Sequence, residues 1–390
     1  MESRESNRRK MSILSQDLIT EILSLLPVKS LIRFQCVSKA WFTLINDPNF
    51  IQMHLENNRE RSLIVETSSR YYFGLQNYSF VNFSNEYRFD EAVKIFTPFY
   101  RREKLKYSQV MAVIGCCNGL VCIRRGIFEI VIWNPSIKKY KKLRFEPVDD
   151  EHKLQPHLLE DEGFNFAFGY DPVNNDYKVL RIVEFLRCHK IYKDPPTAVE
   201  VKVYSLKAHS WTRVEDEWPH NDSLISSPLS ALTNGAFHWL TESATGTKTL
   251  LAFDLTTEKF EVQKFPFKNC GIVGLEVLGG SLCVSVYPWE QGIEVWMMKE
   301  YRVATSWSRL YTVPATFRYC QSLMLSEDGE KVLMENDEKV FFWYDIKKKT
   351  LRIVENHHQI SNSNSVWTTT CLRTRSSLLL LNGDSEPCIS

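Results

Sequence analysis

The side chains able to do covalent or metal chemistry are few and scattered along this 390-residue chain. Cys116, Cys117 and Cys122 fall within "GCCNGLVCI". A thiolate is a nucleophile or a metal ligand, but adjacent cysteines around an Asn-Gly turn lack the paired spacing of a zinc site. They are expected to pack on strands as small apolar groups. His238 stands between Phe237 and Trp239. An alternating strand turns its ring away from both neighbours, which predicts a packed, hydrogen-bonded imidazole rather than a general base. His357 and His358 lie in the polar stretch "ENHHQISNSNS", which reads as a loop. The acidic runs between Asp149 and Gly163 read as a solvated insertion rather than a carboxylate dyad. The sequence shows no glycine-rich phosphate cradle, nucleophile elbow or metal-binding histidine pair. The expectation is a chain with no catalytic residue, no metal and no cofactor.

The rest of the chain must therefore explain its size. With 44% hydrophobic and 13% aromatic residues it can bury a large core, most simply as one large domain and one small one. Its 48 basic and 47 acidic residues leave a net charge of +1, too little field to draw nucleic acid or an anionic membrane surface. Ten dispersed cysteines and a charged start, "MESRESNRRKM", describe a reduced, intracellular protein, cytoplasmic or nuclear. The "RRK" at 8–10 reads as part of a solvated tail over residues 1–12. The run Leu378–Leu381 falls far short of the roughly 20 residues that cross a bilayer.

From Ser15 the apolar period is helical. Leu18, Ile22 and Leu25 form one row and Ile19, Leu23 and Leu26 a second, together covering an arc of about 160°, well beyond the roughly 100° stripe of an ordinary surface helix. Such a helix needs cover on two sides. Pro27 ends it, and Ser30 or the Pro27 turn starts a second helix with Leu31, Ile32, Phe34 and Val37. Ser38 can cap a third carrying Trp41, Phe42, Leu44 and Ile45, and Asp47-Pro48 reads as the N-cap and first position of a fourth. A block of roughly 42 residues is near the size below which a lone domain needs a disulfide, a metal or a partner. Either the rest of the chain or another protein must cover it.

After residue 58 the period becomes alternating. Hairpin signals recur at Asn118-Gly119, Asn234-Gly235, Gly279-Gly280 and Asp328-Gly329, where primed two-residue turns are expected. A second kind of hairpin, with an aromatic closing its first strand, recurs at Trp133, Tyr204, Phe253, Trp296 and Tyr344, at spacings of 71, 49, 43 and 48 residues. Three of the four match the roughly 40 to 50 residues of a four-stranded propeller blade. The architecture expected is thus α+β: a small helical module over residues 13–58 and an all-β propeller over 62–384, six-bladed. Strands around "RSLIVET" and "NYSFVNF" would pair with others near the C-terminus to close the ring and remove its open edges.

The stretch "LSQDLITEILSLLPVKSLIRFQCVSKAWFTLINDPNFIQMHL" resembles the F-box motif along its whole length. The body resembles the F-box-associated, kelch-like domain of plant F-box proteins through "GCCNGLVCI", "IWNPSIKKYKKL", "FGYDPVNNDYKVLRI", "VYSLKAHSWTRV", "NGAFHW" and "FDLTTEKF", in that family's order. The resemblance implies a non-catalytic, substrate-recognition subunit of a ubiquitin ligase. Its helices would dock on a Skp-type adaptor, and through it a cullin, while the propeller holds a protein substrate for ubiquitination. The adaptor-facing residues implied are Leu14, Leu18, Ile22, Leu25, Pro27, Val28, Leu31, Phe34, Val37 and Trp41, with Ile19, Leu23, Phe42 and Ile45 holding the helices together. Ser15 stands where the family usually has proline, which implies weakened docking at that point. "NDYKVLRI", "IYKDPP" and "VWMMKEY" resemble the S-locus F-box group, which implies a pistil ribonuclease as substrate. The alternatives are an adaptor-bound scaffold without a role in degradation and a hidden active site in the central channel. Insertions near 146–163, 184–198 and 216–229 are candidate substrate-contacting loops on length and mixed polarity.

Overall fold

The computed structural model describes residues 14–58, 62–69, 76–85, 88–90, 93–95, 111–126, 128–148, 163–185, 198–219, 223–226, 230–243, 245–267, 271–287, 292–314, 317, 320–336, 340–355, 366–374, 377–381 and 386–387. Four helices come first: α1 (Gln16–Ser24), α2 (Val28–Phe34), α3 (Lys39–Ile45) and α4 (Pro48–Asn57). Local chemistry sets each start. The Ser15 hydroxyl accepts from Leu18 N, Ser38 from Trp41 N, and the Asp47 carboxylate from Asn49 N and Phe50 N, satisfying amides that the first turn leaves unpaired. α2 begins directly after Pro27, not at Ser30.

Among the described residues the strands form six antiparallel sheets. The first contains β1 (Ser62–Ser69), β2 (Gln76–Asn85), β3 (Arg88–Phe89) and β4 (Val93–Ile95); the second β5 (Met111–Cys117), β6 (Leu120–Arg125), β7 (Glu129–Asn134) and β8 (Lys139–Lys142). The third is β9 (Phe164–Asp171), β10 (Asp176–Phe185), β11 (Ala198–Ser205) and β12 (Ser210–Arg213). The fourth has β13 (Ser223–Ile225) and β14 (Ala231–Thr233) beside β15 (Ala236–Ser243), β16 (Lys248–Asp254) and β17 (Lys259–Gln263). The fifth is β18 (Gly271–Leu278), β19 (Ser281–Tyr287), β20 (Ile293–Met298) and β21 (Trp307–Val313); the sixth is β22 (Cys320–Leu325), β23 (Lys331–Asn336), β24 (Phe341–Asp345) and β25 (Thr350–Ile353).

The C-terminal strands complete the first two sheets. β26 (Val366–Thr374) pairs with β1 and becomes the innermost strand of the first sheet, and β27 (Glu386–Pro387) pairs with β8 at the outer edge of the second. The inner strands then touch in succession, β26 on β5, β5 on β9, β14 on β18, β18 on β22 and β22 on β26. Gly169 of β9 completes the ring, because a Cβ there would lie 2.9 Å from Leu232 Cδ2 of β14. The result is a closed propeller.

The aromatic anchors Trp133, Tyr204, Phe253, Trp296 and Tyr344 all lie on the third strand of their blades. Four of them share a turn design with Tyr170. The aromatic is followed by Asn, Asp or Ser, and five positions after the aromatic comes a residue with positive φ: Lys138, Asn175, His209, Glu258 and Lys349. The short polar side chain turns back on the loop amides, as in Ser136 N to Asn134 Oδ1 at 2.9 Å, Thr256 N to Asp254 Oδ1 at 3.0 Å and Lys348 N to Asp345 Oδ1 at 2.7 Å. The Trp296 hairpin departs from this design and opens into a longer loop with a 3-10 turn, Ala304–Ser306. One turn expectation is corrected. Asn118-Gly119, Asn234-Gly235 and Gly279-Gly280 have positive φ at both positions, but at Asp328-Gly329 only the glycine does. There the loop spans residues 326–330, and the Ser326 hydroxyl bonds Asp328 Oδ1 and accepts from Lys331 N, widening the turn.

The helices rest on the propeller through the C-terminal segment. Leu378 is buried in one cluster with Leu23, Val28, Leu31, Ile45 and Phe50, against which Ile137 of the β7–β8 turn also packs. Leu381 belongs instead to the core between the second and third blades. The second apolar row of the helical module is thus covered by its own chain.

Candidate adaptor-docking surface

α1 packs on α4, α2 on α3 and α3 on α4, and this arrangement decides which apolar row remains outside. Leu23 points inward, with Ile19 and Leu26 partly buried beside it. Leu14, Leu18, Ile22 and Leu25 are exposed along the other side of α1, and Leu25 keeps 67% of its surface. Pro27, just before α2, and Val37, between α2 and α3, are exposed as well. Phe34 and Trp41 are half-buried and meet edge to face, with ring centroids 5.5 Å apart.

Two of the expected adaptor contacts are inside the module. Val28 and Leu31 are buried, and Leu31 has no exposed surface at all. The start of α2 at Pro27 explains this: positions 28, 31 and 34 fall on one inward row, facing Ile45, Phe50 and Leu378. Phe42, expected to hold the helices together, is exposed, because α3 turns Trp41, Leu44 and Ile45 inward instead. Phe42 of α3 and Met53 of α4 are thus exposed apolar side chains as well, which the periodicity of such short helices did not reveal.

Polar contacts lock the module so that the exposed row stays in place. His54 Nε2 lies 2.9 Å from the Leu26 carbonyl, bridging α4 to the end of α1. Asn57 Nδ2 donates to Ser24 Oγ at 2.9 Å, and Gln35 Nε2 to Asn46 Oδ1 at 3.4 Å.

The residues considered for chemistry are placed as follows. Cys122 is buried and Cys116 and Cys117 half-buried, and burial pushes the Cys116 and Cys122 thiols up, so neither supplies a thiolate at neutral pH. No group of three or more metal-ligating side chains occurs among the described residues. His238 is fully buried, with Nδ1 3.1 Å from the Ala231 carbonyl and Nε2 3.0 Å from the Tyr301 hydroxyl. Burial brings its pKa down to about 4, so it is neutral and structural. His357, His358 and most of the acidic insertion lie outside the described residues. No helix among the described residues is long and apolar enough to cross a membrane.

Residues 72–377 match the family described as F-box associated beta propeller domain, and residues 11–53 match the F-box domain. The chain belongs to the plant-type F-box proteins that carry an F-box-associated β-propeller. It is 29% identical over 368 residues to F-box protein CPR1 of Arabidopsis thaliana, covering 88% of this chain and 85% of that protein. It is 28% identical over 336 residues to the F-box/kelch-repeat protein At3g23880 of the same plant, covering 82% and 84%. The F-box match coincides with α1 to α3 and the start of α4, so the exposed aliphatic row belongs to the F-box itself. Membership of this family implies a part in substrate recognition for a ubiquitin ligase, with the F-box binding a Skp-type adaptor in a cullin complex.

Proposed function

We propose that this protein is the substrate-recognition subunit of a Skp-cullin-F-box ubiquitin ligase, with the F-box at 13–58 docking on the adaptor and the propeller at 62–384 binding a protein substrate. The observation that carries the reading is the exposed row Leu14, Leu18, Ile22 and Leu25 on a family-matched F-box whose other apolar row is covered internally. Covering four such aliphatic side chains contributes about 1 kcal/mol each at roughly 25 cal/mol per Å². Pro27, Phe34, Val37 and Trp41 continue the proposed contact, and Phe42 joins them.

The chain contributes proximity to ubiquitin transfer and performs no covalent step itself. Of the segments that resemble the S-locus F-box group, "DYKVLRI" lies in β10, whose side chains are nearly all buried, "VWMM" lies in β20, and "IYKDPP" lies outside the described residues. The test is capture of a recombinant Skp-type adaptor by the full chain and by an Ile22→Asp/Leu25→Asp variant. The variant should fold and lose capture. Undiminished capture would remove the α1 row from the interface. Reconstituted ubiquitination of a captured substrate separates ligase from scaffold: transfer supports the ligase reading, and capture without transfer favours the scaffold.

A further inference from the structure

The last carbonyls of a helix have no helical donor, and Pro27 cannot offer one to the Leu23 carbonyl four residues back. The Leu25 amide turns to the Ile22 and Leu23 carbonyls instead, and the Leu26 amide to Leu23, which closes the final turn of α1. The Leu26 carbonyl lies beyond that turn, in the peptide bond to Pro27. Its donor comes from another helix: His54 Nε2 of α4 lies 2.9 Å away. A carbonyl can only accept, so this nitrogen carries the hydrogen.

Leu25 precedes the bonded carbonyl and Pro27 follows it, and both side chains are exposed. The orientation of the Leu26–Pro27 peptide therefore sets where the last aliphatic of the α1 row and the proline beside it stand. His54 is well placed to hold that peptide still. Only 1% of its surface is exposed, and its ring stacks on Phe50 of the module core with centroids 6.4 Å apart. Asn57, one turn further along α4, makes a second tie to the same end of α1. Its Nδ2 donates to Ser24 Oγ at 2.9 Å, and that buried hydroxyl donates to the Glu21 carbonyl at 2.8 Å.

The F-box match ends at residue 53, short of both His54 and Asn57. α4 crosses that boundary without a break.

We propose that His54 is a positioning residue for adaptor docking, fixing Leu25 and Pro27 through the carbonyl between them, and that the docking unit of this chain runs on to Asn57. This rests on the adaptor-docking reading above and adds to it two residues that act through α1. A helix end held in place before the encounter loses little freedom when it is covered, which strengthens binding without a new contact.

The test compares full-chain variants for affinity toward a recombinant Skp-type adaptor, at a temperature where circular dichroism shows each to be folded. His54→Leu keeps much of the buried volume but removes the donor, and should bind about 10-fold more weakly. His54→Gln offers an amide hydrogen to the same carbonyl and should return to within about 3-fold of the parent. Asp47→Ala is the control: it removes the N-cap of α4 and lowers the melting midpoint, but leaves the Leu26 contact alone, and should bind within about 2-fold of the parent. Asn57→Ala, at an exposed position, carries the comparison if His54→Leu does not fold, and should bind about 3-fold more weakly. Undiminished binding by these donor-deleting variants, failure of glutamine to restore what leucine loses, or a loss in Asp47→Ala as large as in His54→Leu would overturn the proposal. A parent chain that captures no adaptor would sink the ligase reading and this inference with it. Capture by the parent that the His54 and Asn57 variants leave unchanged would sink this inference alone.

Discussion

Asn134 and Leu379 are 245 positions apart in sequence, and the Asn134 side-chain amide donates to the Leu379 carbonyl at 3.0 Å. The same Nδ2 also donates to the Ser377 carbonyl at 3.1 Å, Asn134 Oδ1 accepts from Ser136 N, and Ser377 N donates to Ser136 Oγ. One turn residue of the second blade thus fixes the backbone of the strap that delivers Leu378 into the F-box core.

Removing that amide leaves two strap carbonyls without their donor. Asn134→Ala should lower stability by about 1–3 kcal/mol, read as a fall in the melting midpoint by calorimetry. Leu378→Ala should cost about 2–5 kcal/mol, because it opens a cavity among Leu23, Leu31 and Phe50. Adaptor affinity should fall with it although Leu378 lies far from α1 in sequence. An unchanged affinity would show that the module keeps its shape without the strap.

Leu31 and Leu25 are six positions apart and should behave in opposite ways. Leu31→Asp places a charge in the F-box core and should reduce helical content by circular dichroism and adaptor capture together. Leu25→Asp should leave the melting curve within about 0.5 kcal/mol of the parent and reduce capture alone.

Glu276 should make the propeller less stable as pH rises. Its carboxyl is buried beside β22, where Oε1 accepts from Ser285 Oγ and Ser322 N, and Oε2 has no partner among the described residues. Burial pushes its pKa from 4.5 up to about 7, outweighing those hydrogen bonds. Between those two values the folded state holds a proton that the unfolded state has lost, so stability falls from pH 4.5 to pH 7 and levels off above. The loss is on the order of 3 kcal/mol. Glu276→Gln should flatten that slope in urea titrations run across the range, and an unaltered slope would locate the effect elsewhere.

Gly169→Ala tests the contact that closes the ring between the third and fourth blades. The new methyl would sit 2.9 Å from both Leu232 Cδ2 and Phe237 Cε1, and Phe237 is buried in a packed cluster. The expected cost is about 1–3 kcal/mol, seen as a lower midpoint in chemical denaturation.

Much of this was legible because local chemistry decided it. Ser15, Ser38 and Asp47 cap helices wherever they meet an apolar helical period, and the aromatic repeat marked the third strand of five of the six blades because a single turn design follows most of those aromatics. What sequence could not show was set by tertiary contacts. The inward turn of Val28 and Leu31 depends on Ile45, Phe50 and Leu378, and a helix of seven residues has too few turns to state its own orientation. The role of the Leu378–Leu381 run was hidden because a strap has no periodicity.

The strap also sets a schedule for synthesis. The F-box helices leave the ribosome first, but neither their core nor the ring is complete until β26 and Leu378 have followed. A chain stalled or prematurely terminated before that point carries the exposed row Leu14, Leu18, Ile22 and Leu25 on an unfinished module. A copy ended before Leu378 would lack one of the side chains that fill the core beneath the exposed α1 row.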